Sequence, residues 1–181
     1  MNQSRIILSS VCLILWTPAL QPQTTNPLTA IVTERFNDLR MNLEESAGLM
    51  PEDKYGFRLT EGQRTFGEWI GHTAQSCYNF CSVIRGEKPP EAAQHAHHGK
   101  TKAELSRALR EALAYCSEGL KDMSDQKALA PAGANNVPPV RGMVTLVSSI
   151  NSHYGNMVGY LRVNNIVPPS TARAQKQQKG H

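Results

Sequence analysis

A long amphipathic segment just before the pair Pro168-Pro169 constrains the fold of this chain more than any other feature. Its apolar residues recur every three or four positions, which is the spacing of one face of an α-helix. They are Met143, Leu146, Val147, Ile150, Met157, Val158 and Leu161. A second, polar stripe runs beside them and consists of Ser149, His153, Asn156 and Tyr160. The segment therefore predicts a closing helix from about Val140 to Asn164 that carries a polar site next to the core.

Three earlier segments show the same helical periodicity, and no segment alternates as a strand would. Asn26-Pro27 is typical of a helix start, and this first helix is expected to run to Leu43 or Ala47. The motifs Thr65-Phe-Gly-Glu68 and Thr101-Lys-Ala-Glu104 are capping boxes, which predict the starts of the second and third helices. The chain is thus predicted to be all-α, a single four-helix bundle with long connections between helices 1 and 2 and between helices 3 and 4.

The first 21 residues have the composition of a secretory signal peptide. A short polar start with one arginine, Arg5, precedes a mostly apolar run from Ile6 to Leu20, which has the helix breaker Pro18 near its end. The run is short for a membrane span, which needs about 20 apolar residues. We therefore expect residues 1–21 to be a signal peptide and the protein to be periplasmic or secreted. An uncleaved anchor is the alternative, and it is the only membrane contact that the sequence indicates.

The opposite end of the chain carries part of its net charge of +4. Residues 170–181 include Arg173, Lys176 and Lys179 but no apolar periodicity, so this segment is predicted to be a disordered basic tail after a bundle of residues 27–169. No basic face interleaved with aromatic residues occurs elsewhere in the sequence. A nucleic-acid partner is therefore not expected.

Three cysteines follow the leader: Cys77, Cys81 and Cys116. Cys77 and Cys81 lie one turn apart on the same predicted helix, a geometry that rarely suits a disulfide. Cys116, on the next helix, could pair with either of them in an oxidising compartment. We favour three small buried thiols that pack in the core, with pairing of Cys116 to Cys77 or Cys81 as the alternative.

Two histidines, His72 and His153, are predicted near the inward faces of two helices of the same bundle. Facing imidazoles are one way in which helical bundles build metal sites, and imidazole nitrogen suits zinc, nickel, copper and iron. A catalytic zinc usually takes three protein ligands, so Ser149, Glu68 or Asn156 would have to complete the set. The residues alone favour the simpler alternative, two hydrogen-bonded structural histidines.

A second group of histidines, His95, His97 and His98, falls in the polar segment 91–100. The helix between His72 and Gly86 spans about 20 Å, so this group is expected to lie far from His72 unless the segment folds back. A solvated loop is the favoured interpretation.

Two motifs of this chain resemble the DinB-like family of bacterial helical proteins. One is Arg64-Thr-Phe-Gly-Glu68 followed by His72. The other is His153-Tyr-Gly-Asn156 followed by Tyr160-Leu-Arg162 and Ile166-Val-Pro-Pro169. The resemblance covers residues 27–169 and implies a bundle with up-down-down-up connectivity. It also implies a divalent metal, often nickel or zinc, held by one histidine of the second helix and two of the fourth, spaced H-x-x-x-H.

By position in these motifs, His72 and His153 match two of the family's ligands. Ser149 stands where the family has its third histidine, and Asn156 replaces the usual glutamine. Some members of the family are thiol transferases and many have no known activity. A cytosolic thiol cofactor suits an exported protein poorly, which argues against thiol transfer here.

The sequence and the resemblance together predict an exported protein with an incomplete divalent-metal site between the second and fourth helices. Its function would be that of a metal-dependent hydrolase or transferase acting on an unidentified small molecule. The alternative is a non-catalytic bundle that has lost the metal and serves as a binding or interaction module, so enzymatic activity stays open. Because family members often dimerise, the resemblance also implies a homodimer.

Overall fold

The computed structural model describes residues 26–180, so the expected signal peptide at 1–21 lies outside the described residues. The described part is all-α, as predicted: it contains helices and turns but no β-strand. A short 3-10 turn covers Glu52–Lys54. The helices are α1 (Pro27–Leu49), α2 (Phe66–Arg85), α3 (Ala92–His95), α4 (Lys102–Lys121), α5 (Asp125–Leu129), α6 (Pro139–Val163) and α7 (Pro169–Lys179).

The four long helices α1, α2, α4 and α6 are those predicted from the apolar periodicity, and three short helices accompany them. Helix α2 packs mainly against α4 and α6, while α1 packs against α6 and α4. Their apolar faces form one core in which side chains such as Phe36, Phe66, Leu113 and Leu146 are fully buried. The up-down-down-up order of these helices stays a prediction.

Both predicted capping boxes are present, and the first sets the register of the site. The backbone N–H of Glu68 donates to the Thr65 hydroxyl at 3.1 Å, and the backbone N–H of Thr65 donates to the Glu68 carboxylate at 2.6 Å. The pair Thr101 and Glu104 makes the same two contacts at the start of α4. Because the first box starts α2 at Phe66, His72 lies on the second turn of that helix.

The connection between α1 and α2 is fixed to the bundle by aromatic residues. The Tyr55 hydroxyl donates to the Ala47 carbonyl at 2.7 Å, and the Tyr55 ring meets Phe66 edge to face. The Tyr160 hydroxyl of α6 donates to the backbone carbonyl of Arg64 in a short hydrogen bond. Residue 64 is thereby held against α6, next to the helix that carries His153.

A disulfide joins Cys81 of α2 to Cys116 of α4, whose Cα atoms are 5.2 Å apart. The favoured prediction of three free thiols is therefore wrong for these two residues, and the alternative holds with Cys81 as the partner of Cys116. The two helices pack so closely that the Cα separation falls within the range for a disulfide. The sequence spacing along one helix does not reveal how closely that helix approaches another. Cys77 remains a free buried thiol, and burial raises its pKa to about 12.

The predicted disorder of residues 170–181 is also wrong for the part that the structure describes. Residues Pro169–Lys179 form α7, because the proline pair starts a new helix as well as ending the previous one. The Arg173 guanidinium reaches both carboxylate oxygens of Glu45 at 2.8 Å and also contacts Asn42. None of the helices between residues 26 and 180 has the combined length and apolarity of a membrane span.

Candidate functional site

The structure brings together the two histidines that the sequence singled out. The imidazole rings of His72 on α2 and His153 on α6 have centroids 4.9 Å apart. His153 is 7% exposed, whereas His72 is partly exposed at the edge of the core. The predicted convergence of these residues is therefore a feature of the fold.

A hydroxyl of α2 orients the His153 ring. The Thr73 hydroxyl lies 3.3 Å from His153 Nδ1 and donates its own proton to the Trp69 carbonyl at 2.7 Å. Since a hydroxyl has one proton, Thr73 must accept the Nδ1–H of a neutral imidazole, which leaves a lone pair on Nε2. The hydroxyl of Ser149 lies 3.5 Å from that Nε2, at the outer limit of a hydrogen bond.

Both imidazoles are held in the neutral form. Burial, with the charges of His72 and Arg64, lowers the pKa of His153 to about 4. Burial also lowers the pKa of His72, with further contributions from Arg64 and His97. At neutral pH each imidazole therefore keeps one ring nitrogen with a free lone pair, which is the state that coordinates a metal.

Trp69 and Arg64 complete the surroundings of the histidine pair. The Trp69 ring contacts His153 and His72, with centroids 5.5 and 6.0 Å away, and the Arg64 guanidinium lies 5.1 Å from the Trp69 ring centroid. Trp69 is a residue of the site that the sequence analysis did not predict. Its spacing of three and four residues from His72 and Thr73 was the available signal, since such residues share one helix face.

One histidine of the α2–α4 connection also reaches this site. His97 and His72 line the same cavity of about 460 Å³, together with Arg64 and Gln75. The segment folds back, which is the exception that the sequence analysis allowed, and the separation expected otherwise does not apply to His97. The chain turns back along α2 after Pro89-Pro90 and rests on it.

Gly71 permits this close approach of the loop. A Cβ at residue 71 would lie 2.8 Å from the Cα of His97, closer than side chains and backbone normally pack. The loop histidines contact one another: the ring centroids of His97 and His98 are 4.2 Å apart, and those of His98 and His95 are 5.7 Å apart. His95 and His98 line a separate cavity.

The other proposed ligands differ in their availability. Glu68 borders the cavity, but its carboxylate is engaged in the capping box and lies 3.8 Å from Arg58. Asn156 donates its amide to the Ser152 carbonyl at 2.9 Å, within its own helix. Ser149, with its hydroxyl near His153 Nε2, is the remaining candidate that contacts the pair.

The side chains at this site supply some, but not all, of the ligands that a divalent metal ion needs. Two imidazoles on one tetrahedral zinc would have ring centroids about 5 Å apart, given a metal–nitrogen distance of about 2 Å. The His72–His153 pair matches that spacing. Within residues 26–180, however, no three side chains of His, Cys, Asp or Glu are grouped so that they could hold a metal ion. The pair could thus supply two ligands, and a hydroxyl or water would have to supply the rest.

Lowering the pH from 7 to 5 is expected to cost about 2 kcal/mol of stability through His153 alone. The unfolded chain binds a proton near the ordinary histidine pKa of 6.5, whereas buried His153 binds one only near pH 4. The stability that depends on neutral His153 is therefore full above pH 6.5 and is lost as the pH falls toward 4. Urea unfolding at pH 7 and at pH 5 measures this loss of unfolding free energy. The variant His153→Gln should show a smaller loss, and an equal loss would contradict this account.

A sequence model of the DinB superfamily matches residues 35–151, about two thirds of the chain. The protein belongs to this superfamily, which confirms the resemblance seen in its motifs. The matched range includes His72 and Ser149, while His153 lies two residues beyond its end.

The fold has a counterpart among solved structures. A crystal structure titled as a conserved protein from Enterococcus faecalis covers 75% of this chain and 95% of its own, with a TM-score of 0.58 and 15% sequence identity. At that identity the likeness concerns the fold. No functionally curated protein matches the chain.

Proposed function

We propose that this DinB-superfamily protein binds a divalent metal ion, zinc or nickel, through His72 and His153. The observation that carries the proposal is the pairing of two neutral imidazoles 4.9 Å apart on α2 and α6. Thr73 supports it, because a hydroxyl that accepts the Nδ1 proton keeps the Nε2 lone pair of His153 available. Ser149 makes the site weak, since a neutral hydroxyl is a poorer ligand than imidazole.

The chemistry proposed for the site is hydrolysis of, or transfer to, a small molecule. A bound divalent ion would supply a Lewis acid for a substrate oxygen or for water. The chain itself provides orientation through Thr73 and a hydrophobic wall through Trp69, which limits the access of water to His153. A second candidate, a non-catalytic binding module, is favoured by Ser149 at the position of the family's third histidine.

We also propose that the protein acts in the periplasm or outside the cell. The signal-like composition of residues 1–21 supports this location. The Cys81–Cys116 disulfide supports it independently, because such bonds persist in oxidising compartments. We include a homodimer in the proposal only because members of the superfamily often dimerise.

Zinc and nickel binding by the purified protein tests the proposed site. Calorimetric titration of the chelator-treated protein is expected to show about one ion per chain, and His72→Ala or His153→Ala should weaken binding at least about tenfold, since each removes one of two strong ligands. His95→Ala is the matched control, because His95 is an exposed histidine that lines another cavity. If the unaltered protein binds neither ion, the non-catalytic candidate replaces this one.

A further inference from the structure

One histidine at the cavity of His72 has a fixed backbone and a free side chain. The backbone of His97 lies against Gly71, the residue just before His72, so closely that a Cβ at position 71 would be 2.8 Å from the His97 Cα. The imidazole of His97 is exposed and lines the same cavity as His72. The two side chains therefore start from neighbouring points on the surface of α2.

The segment that carries His97 is held on both sides. Ala93 and Ala96 before it are each 4% exposed and pack in the core. After it, the backbone N–H of Lys100 donates to the Glu104 carboxylate at 2.9 Å, next to the capping box that starts α4. The fold therefore sets the position of the His97 backbone beside α2.

The His97 imidazole is not committed to another partner. Among residues 26–180 it forms no hydrogen bond or ion pair, and its ring contacts that of His98, with centroids 4.2 Å apart. Rotation about the side-chain torsions of His97 is enough to break this contact between two exposed rings. Burial lowers the pKa of His72, and the charges of Arg64 and His97 lower it further, so the imidazoles of His72 and His97 are close enough to interact.

We propose that His97 is the third protein ligand of the metal ion held by His72 and His153, and that it replaces the histidine whose position Ser149 occupies. The inference rests on the proposed function, since it needs an ion at the histidine pair. Three imidazoles and one open position are a usual ligand set of a catalytic zinc site. No three metal-binding side chains are gathered between residues 26 and 180, so the His97 ring must turn from His98 toward His72 when the ion binds.

His97 is better suited than Ser149 to complete the ligand set. Ser149 offers a neutral hydroxyl, which lies 3.5 Å from the same Nε2 of His153 that the ion would use. An imidazole nitrogen is a stronger ligand for zinc and nickel than a neutral hydroxyl. Because the His97 ring must be reordered, zinc should bind less tightly here than at a site whose three ligands are in place beforehand.

Zinc titration of single variants of the full chain tests the proposal. His97→Ala should weaken zinc binding at least about tenfold, because loss of a ligand should cost no less than loss of a residue that orients one. His98→Ala is the matched control: it removes the neighbouring exposed histidine, which lines the other cavity, and should not weaken zinc binding. Competition with a chromogenic chelator measures both affinities.

Chemical modification tests the position of His97 in the complex without measuring affinity. Diethyl pyrocarbonate acylates the imidazole nitrogen that has a free lone pair, so coordination to zinc should slow the modification of His97 at least about fivefold. Tandem mass spectrometry measures this rate, and His95 in the same peptide should react at an unchanged rate. The protection should disappear in His72→Ala and in His153→Ala, which keep His97 but lack one of the other ligands.

Displacement of the loop should have the same effect as removal of the imidazole. Gly71→Ala must push the backbone of His97 away from α2 and should weaken zinc binding as much as His97→Ala does. The double variant should lose little more, because both changes act on the same ligand. Gly155→Ala is the matched control on α6, since a Cβ at position 155 would meet no atom within 4 Å.

Equal zinc affinities of His97→Ala and His98→Ala, or a His97 reactivity that zinc does not change, overturn the proposal. If His72→Ala and His153→Ala still weaken binding, the metal site of the proposed function stands and its third ligand alone is refuted. Protection of His97 that survives in His153→Ala would place the ion on the loop and refute both proposals. Absence of zinc binding by the unaltered protein would refute the proposed function and, with it, this ligand.

Discussion

The variant Ser149→His is expected to bind zinc about 100-fold more tightly than the unaltered protein. Ser149 precedes His153 by one helical turn, and its hydroxyl lies 3.5 Å from His153 Nε2. A histidine at this position would place a third imidazole beside His72 and His153 and give the three ligands typical of a catalytic zinc site. Substitution of a residue that hydrogen-bonds to a metal ligand changes metal affinity about 10- to 100-fold. The addition of a ligand should therefore change the affinity by about 100-fold or more.

Competition with a chromogenic chelator measures this change, and Ser148→His is its matched control. Ser148 is the neighbouring serine of α6, but it is exposed and bonds back to the Val144 carbonyl. A histidine there adds the same side chain outside the site and should not tighten zinc binding. Equal affinities of the two variants would mean that His72 and His153 do not share an ion, whatever their ring spacing.

Combining Ser149→His with Arg64→Gln would separate the two obstacles to metal binding. The first substitution supplies a ligand, and the second removes a cation that opposes a divalent ion. Because the two residues act on the same ion, their effects should not simply add.

The helices could be predicted from the sequence because each is encoded locally. The two capping boxes mark the starts of α2 and α4, and apolar spacing marks their buried faces. The register of α2 was sufficient to place His72 near its inward face, and the apolar spacing of α6 was sufficient to place His153. Packing of α2 against α6 then brings the two imidazoles together. The resemblance to a known family indicated that these two helices carry the paired histidines.

The parts of the site that were not predicted depend on contacts between distant segments. His97 reaches the cavity of His72 because the loop rests on Gly71, and a glycine within a helix does not by itself indicate which segment it admits. Arg64 comes to the pocket through the Tyr160 hydroxyl, 96 residues away along the chain. The ordering of α7 likewise depends on Arg173 and Glu45, which no local pattern connects.

Loss of the Cys81–Cys116 disulfide is expected to lower the free energy of unfolding by about 3–4 kcal/mol. The bond spans a separation of 35 residues and restricts the unfolded chain, so most of the effect should arise from the greater freedom of that chain. Urea unfolding with and without a reducing agent measures the change without removing any atom of the core. Intact mass after alkylation establishes that the bond was reduced.

Two variants separate the covalent bond from the packing around it. Cys77→Ala removes a buried thiol of the same helix but keeps the disulfide, so it should cost only about 1 kcal/mol. The double variant Cys81→Ala/Cys116→Ala should lose about as much stability as reduction, plus a contribution from the lost sulfur contacts. An unchanged unfolding midpoint for fully reduced protein would contradict this role of the bond.

The disulfide should support the bundle without forming part of the site. Cys81 lies nine residues after His72 on α2, about two and a half turns away, and it faces α4 while the histidine pair lies between α2 and α6. The double alanine variant, where still folded, should therefore bind zinc as the unaltered protein does. A large loss of zinc affinity in folded double variant would instead show that the α2–α4 bond sets the position of His72.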